Sequence, residues 1–275
     1  MTARELPDGV VPADTITKLP PQAAGTVVLC GSHGGRYCGY LAAKAGLRAI
    51  ILCDAGVGRD HAGIGALAYL DAFGIPAATV SHLTSRIGDV ADMIERGRIS
   101  HANGTASALG VDPGDEAVEA AGRLTAAELR AAKPGAIGEA RSILEGGLAR
   151  RIVLVDSAAL VEPGDAGSIV VTGSHGGLVG GDPAMALRCD GYAAVFNDAG
   201  IGIDSAGTAR LPALETRGIA AFTVSASSAK IGEAQSSFAD GIISAVNGKA
   251  AASGARIGAS ARTTLLSWAA GQGAA

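Results

Sequence analysis

The pentapeptide Gly31-Ser32-His33-Gly34-Gly35 returns as Gly173-Ser174-His175-Gly176-Gly177, 142 residues further along the chain. After a two-residue insertion the spacing becomes 144 and holds. Asp54-Ala55-Gly56-Val57-Gly58 then faces Asp198-Ala199-Gly200-Ile201-Gly202, and Asp60, Ala62 and Gly63 face Asp204, Ala206 and Gly207. Between 54–104 and 198–248, 22 of 51 aligned positions are identical. A repeat this long constrains folding more than any local propensity, because each copy must adopt the same unit. The first unit is expected within 1–125 (core 10–125) and the second within 152–275 (core 152–269). Residues 126–151 are expected as a helical linker, part of an Ala/Glu/Arg-rich stretch from Glu116 to Arg150 that Pro134-Gly135 breaks.

Each unit opens on a short β-branched run, Thr26 to Cys30 or Ser168 to Thr172, that ends at GSHGG. A helical stretch from Tyr37 to Ala45 follows in the first unit. Apolar runs from Ala49 to Cys53 and from Ala77 to Val80 end at DAGxG and at Ser81. Buried strands separated by helical segments argue for βαβ crossovers and parallel pairing. The fold class expected is therefore α/β: an internally duplicated βαβ-rich unit giving two pseudosymmetric halves with mostly parallel sheets. With 48% hydrophobic residues and only 3% aromatic, the core must be built largely from Ala, Val, Ile and Leu. In such sheets ligands bind at the carboxyl ends of the strands, where all three loops would lie.

Those loops carry the candidate site residues. GSHGG offers an imidazole (His33, His175), a hydroxyl (Ser32, Ser174) and unhindered backbone N–H groups at Gly34, Gly35, Gly176 and Gly177 that can face a developing oxyanion. Asp54 and Asp198 place carboxylates at strand ends, suited to orienting an imidazole or acting as a base; an Asx turn is their simpler alternative. Asp60 and Asp204 read equally well as helix N-caps. Ser81 and Ser225 follow the third strand, and Arg86 becomes Lys230 in the second copy, which preserves a charge that could anchor an anionic or carbonyl-bearing ligand. The copies also differ: His61, His82 and His101 face Ser205, Ala226 and Ala245, and Cys53 faces Asn197. His33, Asp54 and His82 include zinc-ligand types, but no HxH or HExxH spacing supports a site, so no metal or other cofactor is expected.

A strand ending in Ser32-His33-Gly34 followed by one ending in Cys53 resembles the His and Cys strand ends of caspase-like cysteine peptidases, where the two residues form a catalytic dyad. The resemblance is local; it departs in the short His-to-Cys separation, in continuing as Asp-Ala-Gly-Val-Gly, and in the Asn197 of the second copy. It implies dyad geometry for His33 and Cys53. The expected function is hydrolysis of an amide or cyclic-amide C–N bond between the units: Cys53 or a loop serine as nucleophile, His33 as base, Asp54 as its orienter, and Arg86 or Lys230 as anchors. The alternatives are a non-catalytic binder of an anionic metabolite, and a lyase or isomerase in which His33 and His175 serve as acid and base.

Net charge −4 gives no basic footprint for nucleic acid, and no window is apolar enough for a membrane span, so the expected partner is a small polar or anionic substrate. Cys30, Cys38, Cys53 and Cys189 form no CxxC pair, which argues against a disulfide scaffold. The first ten residues carry Arg4, Glu5 and Asp8 and no apolar h-region, so a cytoplasmic location is expected, with assembly as a homo-oligomer.

Overall fold

The computed structural model describes residues 4–144 and 148–271. One sheet holds β1 (Val10–Ala13), β2 (Val27–His33), β3 (Ala49–Cys53), β4 (Ala77–Val80) and β5 (Ile99–Ala102), in that order across the sheet. The other holds β6 (Arg141–Leu144), β7 (Ile152–Val155), β8 (Ile169–His175), β9 (Ala193–Asn197), β10 (Ala220–Val224) and β11 (Ile243–Val246), again in sequence order. Pairing is parallel except at β4–β5, β10–β11 and β6–β7. The chain is thus α/β with two mostly parallel sheets. β3 and β4 fall on the apolar runs Ala49 to Cys53 and Ala77 to Val80.

Helices cover both faces of the first sheet. α1 (Arg36–Lys44) and α2 (Gly65–Asp71) lie on one side; α3 (Val90–Arg96), α4 (Gly104–Ser107) and α5 (Ala117–Leu124) lie on the other. Alternate residues of β2 therefore enter different cores: Val27 and Leu29 pack with Met93 and Leu124, Val28 and Cys30 with Ala42 and Leu70. This double burial is why the strands read as unbroken apolar runs and not as alternating ones. The second sheet is covered by α6 (Arg210–Thr216) on one face and by α7 (Ala234–Ala239), α8 (Gly248–Ala252) and α9 (Ala261–Ala269) on the other. Trp268 of α9 anchors that second layer, stacking edge-on against Phe222 at 5.7 Å while its indole N–H donates to the Ser253 carbonyl. Where the first sheet has α1, the second has only short 3-10 turns at Val179–Gly181 and Pro183–Met185. Pro183 removes a donor there, and Gly180 and Gly181 sit at φ +62° and +68°, which α-helix forbids.

The segment expected as a helical linker is corrected. After α5 the described residues through Ala140 hold no helix, and 141–144 form β6, an antiparallel edge strand on β7. The helix already ends at Leu124, well before Pro134-Gly135, and the hydrogen-bonding edge of β7 captures 141–144. Residues 145–147 of that linker lie outside the described residues, as do the first three and last four of the chain.

The two sheets meet through the DAGxG loops. A Cβ on Gly56 would stand 2.8 Å from the Gly200 Cα, and one on Gly200 would stand 2.8 Å from the Gly56 Cα, so both positions must be glycine for the backbones to touch. Hydrogen bonds cross the junction in both directions, Arg59 N–H to the Ala226 carbonyl and Ile203 N–H to the His82 carbonyl, each at 2.8 Å. Ala199, Ala206 and Ile231 from the second sheet's loops complete the first sheet's core. Among the described residues no helix is long and apolar enough to cross a membrane.

Candidate active site

β2 and β8 each run past their neighbours' regular pairing, with a shift in register before His33 and before His175. Beyond the shift each histidine is paired with the last residue of the neighbouring strand, His33 with Cys53 and His175 with Asn197. The glycines that follow are needed for close approach: a Cβ on Gly34 would meet the Gly63 carbonyl at 2.6 Å, and one on Gly35 would meet His33 Nδ1 at 2.7 Å. A Cβ on Gly177 would meet Ile87, from the other half, at 2.8 Å.

These strand ends open on a cavity of about 200 Å³ between the two halves. Ser32, His33, Tyr37 and Cys38 line it from the first half, Ser174, His175 and Arg210 from the second, and Glu139 from the connecting segment. The two imidazole rings stand edge to face with centroids 6.5 Å apart. His33 Nδ1 accepts the Gly35 N–H at 3.1 Å, so in the neutral ring the proton sits on Nε2. His175 Nδ1 is buried and has no hydrogen-bond partner. Burial pushes the His33 pKa down to about 4, and burial followed by the Arg210 charge holds His175 well below the ordinary histidine range. At neutral pH both rings are uncharged and can accept protons.

The remaining expected site residues are distributed differently. Cys53 is fully buried in the first sheet's core, and burial pushes its thiol up to about 12, the reverse of the depression a nucleophile requires. His33 and Cys53 are register partners on β2 and β3, yet Cys53 does not line the cavity. Asp54 does not orient His33. Its Oδ1 accepts from the His82 N–H at 3.0 Å and the Gly56 N–H at 3.1 Å, and pairs with His82 Nδ1 at 2.8 Å. Burial alone would raise the Asp54 pKa, but these bonds from His82 and Gly56 outweigh it and hold the carboxyl below the usual range. Asp198 likewise accepts from the Gly200 and Ala226 N–H groups. Both carboxylates therefore serve as Asx-turn acceptors that shape the junction loops. The conceivable metal set is not assembled, because His82 is taken by Asp54 while His33 stands in the cavity; among the described residues no cluster of three or more His, Cys, Asp or Glu could hold a metal.

Arg86 reaches across the junction to Asp204 at 2.9 Å, and Lys230 crosses the other way to Asp60 at 2.9 Å, so neither side chain is a free anchor. Asp60 and Asp204 are not N-caps; they have left-handed backbones at φ +52° and +55°. Ser81 and Ser225 close ST-type turns, accepting from Leu83 and Ser227, outside the cavity. The Ser32 and Ser174 hydroxyls line it while accepting from the Ile16 and Ala158 N–H groups. Gly34 and Gly176 spend their N–H groups on the Cys53 and Asn197 carbonyls, which leaves neither as an oxyanion donor.

Of the cavity residues named above, Tyr37, Cys38, Glu139 and Arg210 were outside the sequence-based set. The Cys38 sulfur is 4.0 Å from His33 Nδ1 and 3.9 Å from Nε2, within loose reach of the ring; burial pushes its thiol pKa up. Glu139 is half-buried, and burial, followed by the nearby Asp156 charge, lifts its carboxyl above the usual range, with Tyr37 and Ser157 as neighbours that oppose the lift. Nothing local in the extended segment around Glu139 announces a functional role. Arg210 did leave a signal, since the position 144 residues earlier is Ala66. Neither family models, curated proteins nor solved structures give a match to this chain.

Proposed function

We propose that the cavity catalyses proton transfer on a small polar substrate, the reaction of a lyase or isomerase, with His175 and His33 as base and hydrogen-bond donor. The observation that carries this reading is the pair of uncharged imidazoles, with ring centroids 6.5 Å apart, lining one cavity. In the tautomer that leaves His175 Nε2 unprotonated, its lone pair takes a proton from a C–H bond next to a carbonyl. The His33 Nε2–H donates to the oxygen on which the enolate charge develops. The proton held by His175 then returns to a neighbouring carbon, giving an isomer, or passes to a departing group, giving elimination. A neutral imidazole suits the donor role because it polarises the oxygen without surrendering a full proton. Hydrolysis of a C–N bond by the same cavity would need Ser32, Ser174, Cys38 or water as nucleophile, since Cys53 does not line it.

The reading also treats the halves as copies of one unit related by a pseudo-two-fold axis, so that equivalent histidines meet at the axis. Supporting it, the non-glycine residues with left-handed backbones recur at the 144-residue spacing: Ala55, Val57, Asp60 and His61 in one half, Ala199, Ile201, Asp204 and Ser205 in the other. Val57 and Ile201 are β-branched, for which this conformation is a true outlier, so its recurrence reflects one inherited loop geometry.

The test is deuterium uptake from D2O into a panel of small carbonyl compounds, followed by proton NMR. The wild-type chain should label at least one of them at the carbon next to the carbonyl, and both His33→Gln and His175→Gln should abolish labelling while staying folded. Binding without any labelling would favour the non-catalytic alternative, and unchanged labelling in either variant would reject the histidine pair.

A further inference from the structure

We propose that the cavity is a carboxylate site: its ligand is a small carboxylic acid whose charged end is received by Arg210 beside His175. This deepens the reading above and rests on the cavity being the place where substrate binds.

Arg210, at the first position of α6, is 3% exposed, and it lines the cavity. Its Nε donates to the Gly177 carbonyl at 2.9 Å, and its Nη1 donates to the Met185 and Ala186 carbonyls. Its guanidinium lies over the Phe196 ring at 4.9 Å. These contacts satisfy part of the fork but cancel none of its charge, and among the described residues Nη2 has no acceptor. Among the described residues no Asp or Glu forms an ion pair with it. A buried guanidinium without a counter-charge is costly, because desolvation is paid and no Coulombic return is collected. One negatively charged ligand group in the cavity supplies the missing counter-charge.

The chemistry of the wall selects a carboxylate over a phosphate. A phosphate is normally cradled by several backbone N–H groups, and here the Gly34 and Gly176 N–H groups are already bonded to the Cys53 and Asn197 carbonyls. Lys18 and Arg188 also line the cavity, against the carboxylates of Glu139 and Asp156, so with Arg210 the lining carries a formal charge of +1, which matches a monoanion. The volume of about 200 Å³ lies below the range of pockets that hold drug-sized ligands, so the acid has few carbon atoms. Glu139, Asp156 and Tyr37 also line the cavity: the two carboxylates repel a second negative group, and the Tyr37 hydroxyl suits a hydroxyl or carbonyl of the ligand. An anion against Arg210 also favours the imidazolium of His175, and so raises its basicity only when substrate is bound.

Calorimetric titration of the full chain with glycolate, lactate, pyruvate and succinate, each against its amide, and with inorganic phosphate, tests the site. At least one carboxylate should bind while its amide does not, and Arg210→Met should weaken that binding about 10- to 100-fold, the worth of one charge-assisted hydrogen bond. Should Arg210→Met fail to fold, Arg210→Lys keeps the charge and should still bind the acid and refuse the amide. The proposal is overturned if no carboxylate binds, if acid and amide bind alike, if phosphate binds more tightly than every acid, or if Arg210→Met binds as the wild type does. Carboxylate binding that persists in His175→Gln, with no deuterium uptake by any bound acid in the wild type, would sink the proton-transfer reading and leave the carboxylate site standing.

Discussion

His33 and His175 stand edge to face with ring centroids 6.5 Å apart, one delivered by β2 and the other by β8, and both are held uncharged by burial. An ordinary surface histidine would gain a proton near pH 6.5. In the folded chain His33 resists protonation down to about 4, so the folded state binds this proton less tightly than the unfolded chain does. Its contribution to stability is therefore intact above about pH 6.5 and is lost as pH falls from there towards 4, on the order of 3 kcal/mol. Urea denaturation across that window should show the loss, and His33→Gln should flatten it. Catalytic activity should stay level from pH 8 to pH 6, where an unshifted histidine would already have titrated.

Cys53 should be inert. With its thiol fully buried and raised to about 12, brief treatment with iodoacetamide at neutral pH should leave it unmodified in the native chain and label it only after unfolding. Cys53→Ala should retain catalysis and lose roughly 1 kcal/mol from the small void left in the first sheet's core. Peptide mapping decides the first outcome, and loss of activity in a folded Cys53→Ala chain would return the thiol to the mechanism.

Strands, loops and the two histidines were legible in the sequence because each is a local matter: apolar runs bounded by glycine, and a motif that recurs. Partnerships were not. Asp54 and His82 are 28 residues apart and nothing in the sequence marks them as mates; the bond exists because the loop after β4 folds back over the end of β3. Arg86 and Lys230 look like ligand anchors until the halves are docked, when each finds an aspartate on the far side. Glu139 lies in a stretch whose composition reads as helix, and it reaches the cavity only because that stretch runs extended towards β7.

Gly56→Ala should separate or strain the halves. The new Cβ would need a left-handed backbone at φ +74° and would lie 2.8 Å from the Gly200 Cα, where no rotamer change can relieve it. A loss of roughly 2 kcal/mol or more is expected in urea denaturation. Gly46→Ala is the control. It too has a left-handed backbone, φ +67°, but nothing within 4 Å, so it carries the conformational cost without the clash. Equal losses in the two variants would mean that the contact between Gly56 and Gly200 contributes nothing.

The crossed ion pairs make the last prediction. Arg86–Asp204 and Lys230–Asp60 are exposed, so each should add only about 0.2–1 kcal/mol of coupling between the halves, less at high salt. A double-mutant cycle on Lys230→Met and Asp60→Asn measures the term directly. Because Lys230 lies outside the cavity, the Lys230→Met chain should bind and turn over ligand as the wild type does. Reversing the pair, Lys230→Asp with Asp60→Lys, should recover most of the stability that either single charge reversal loses. A large rise in KM for Lys230→Met, with stability unchanged, would instead make this lysine a ligand anchor and place the substrate at the junction loops, away from His33 and His175.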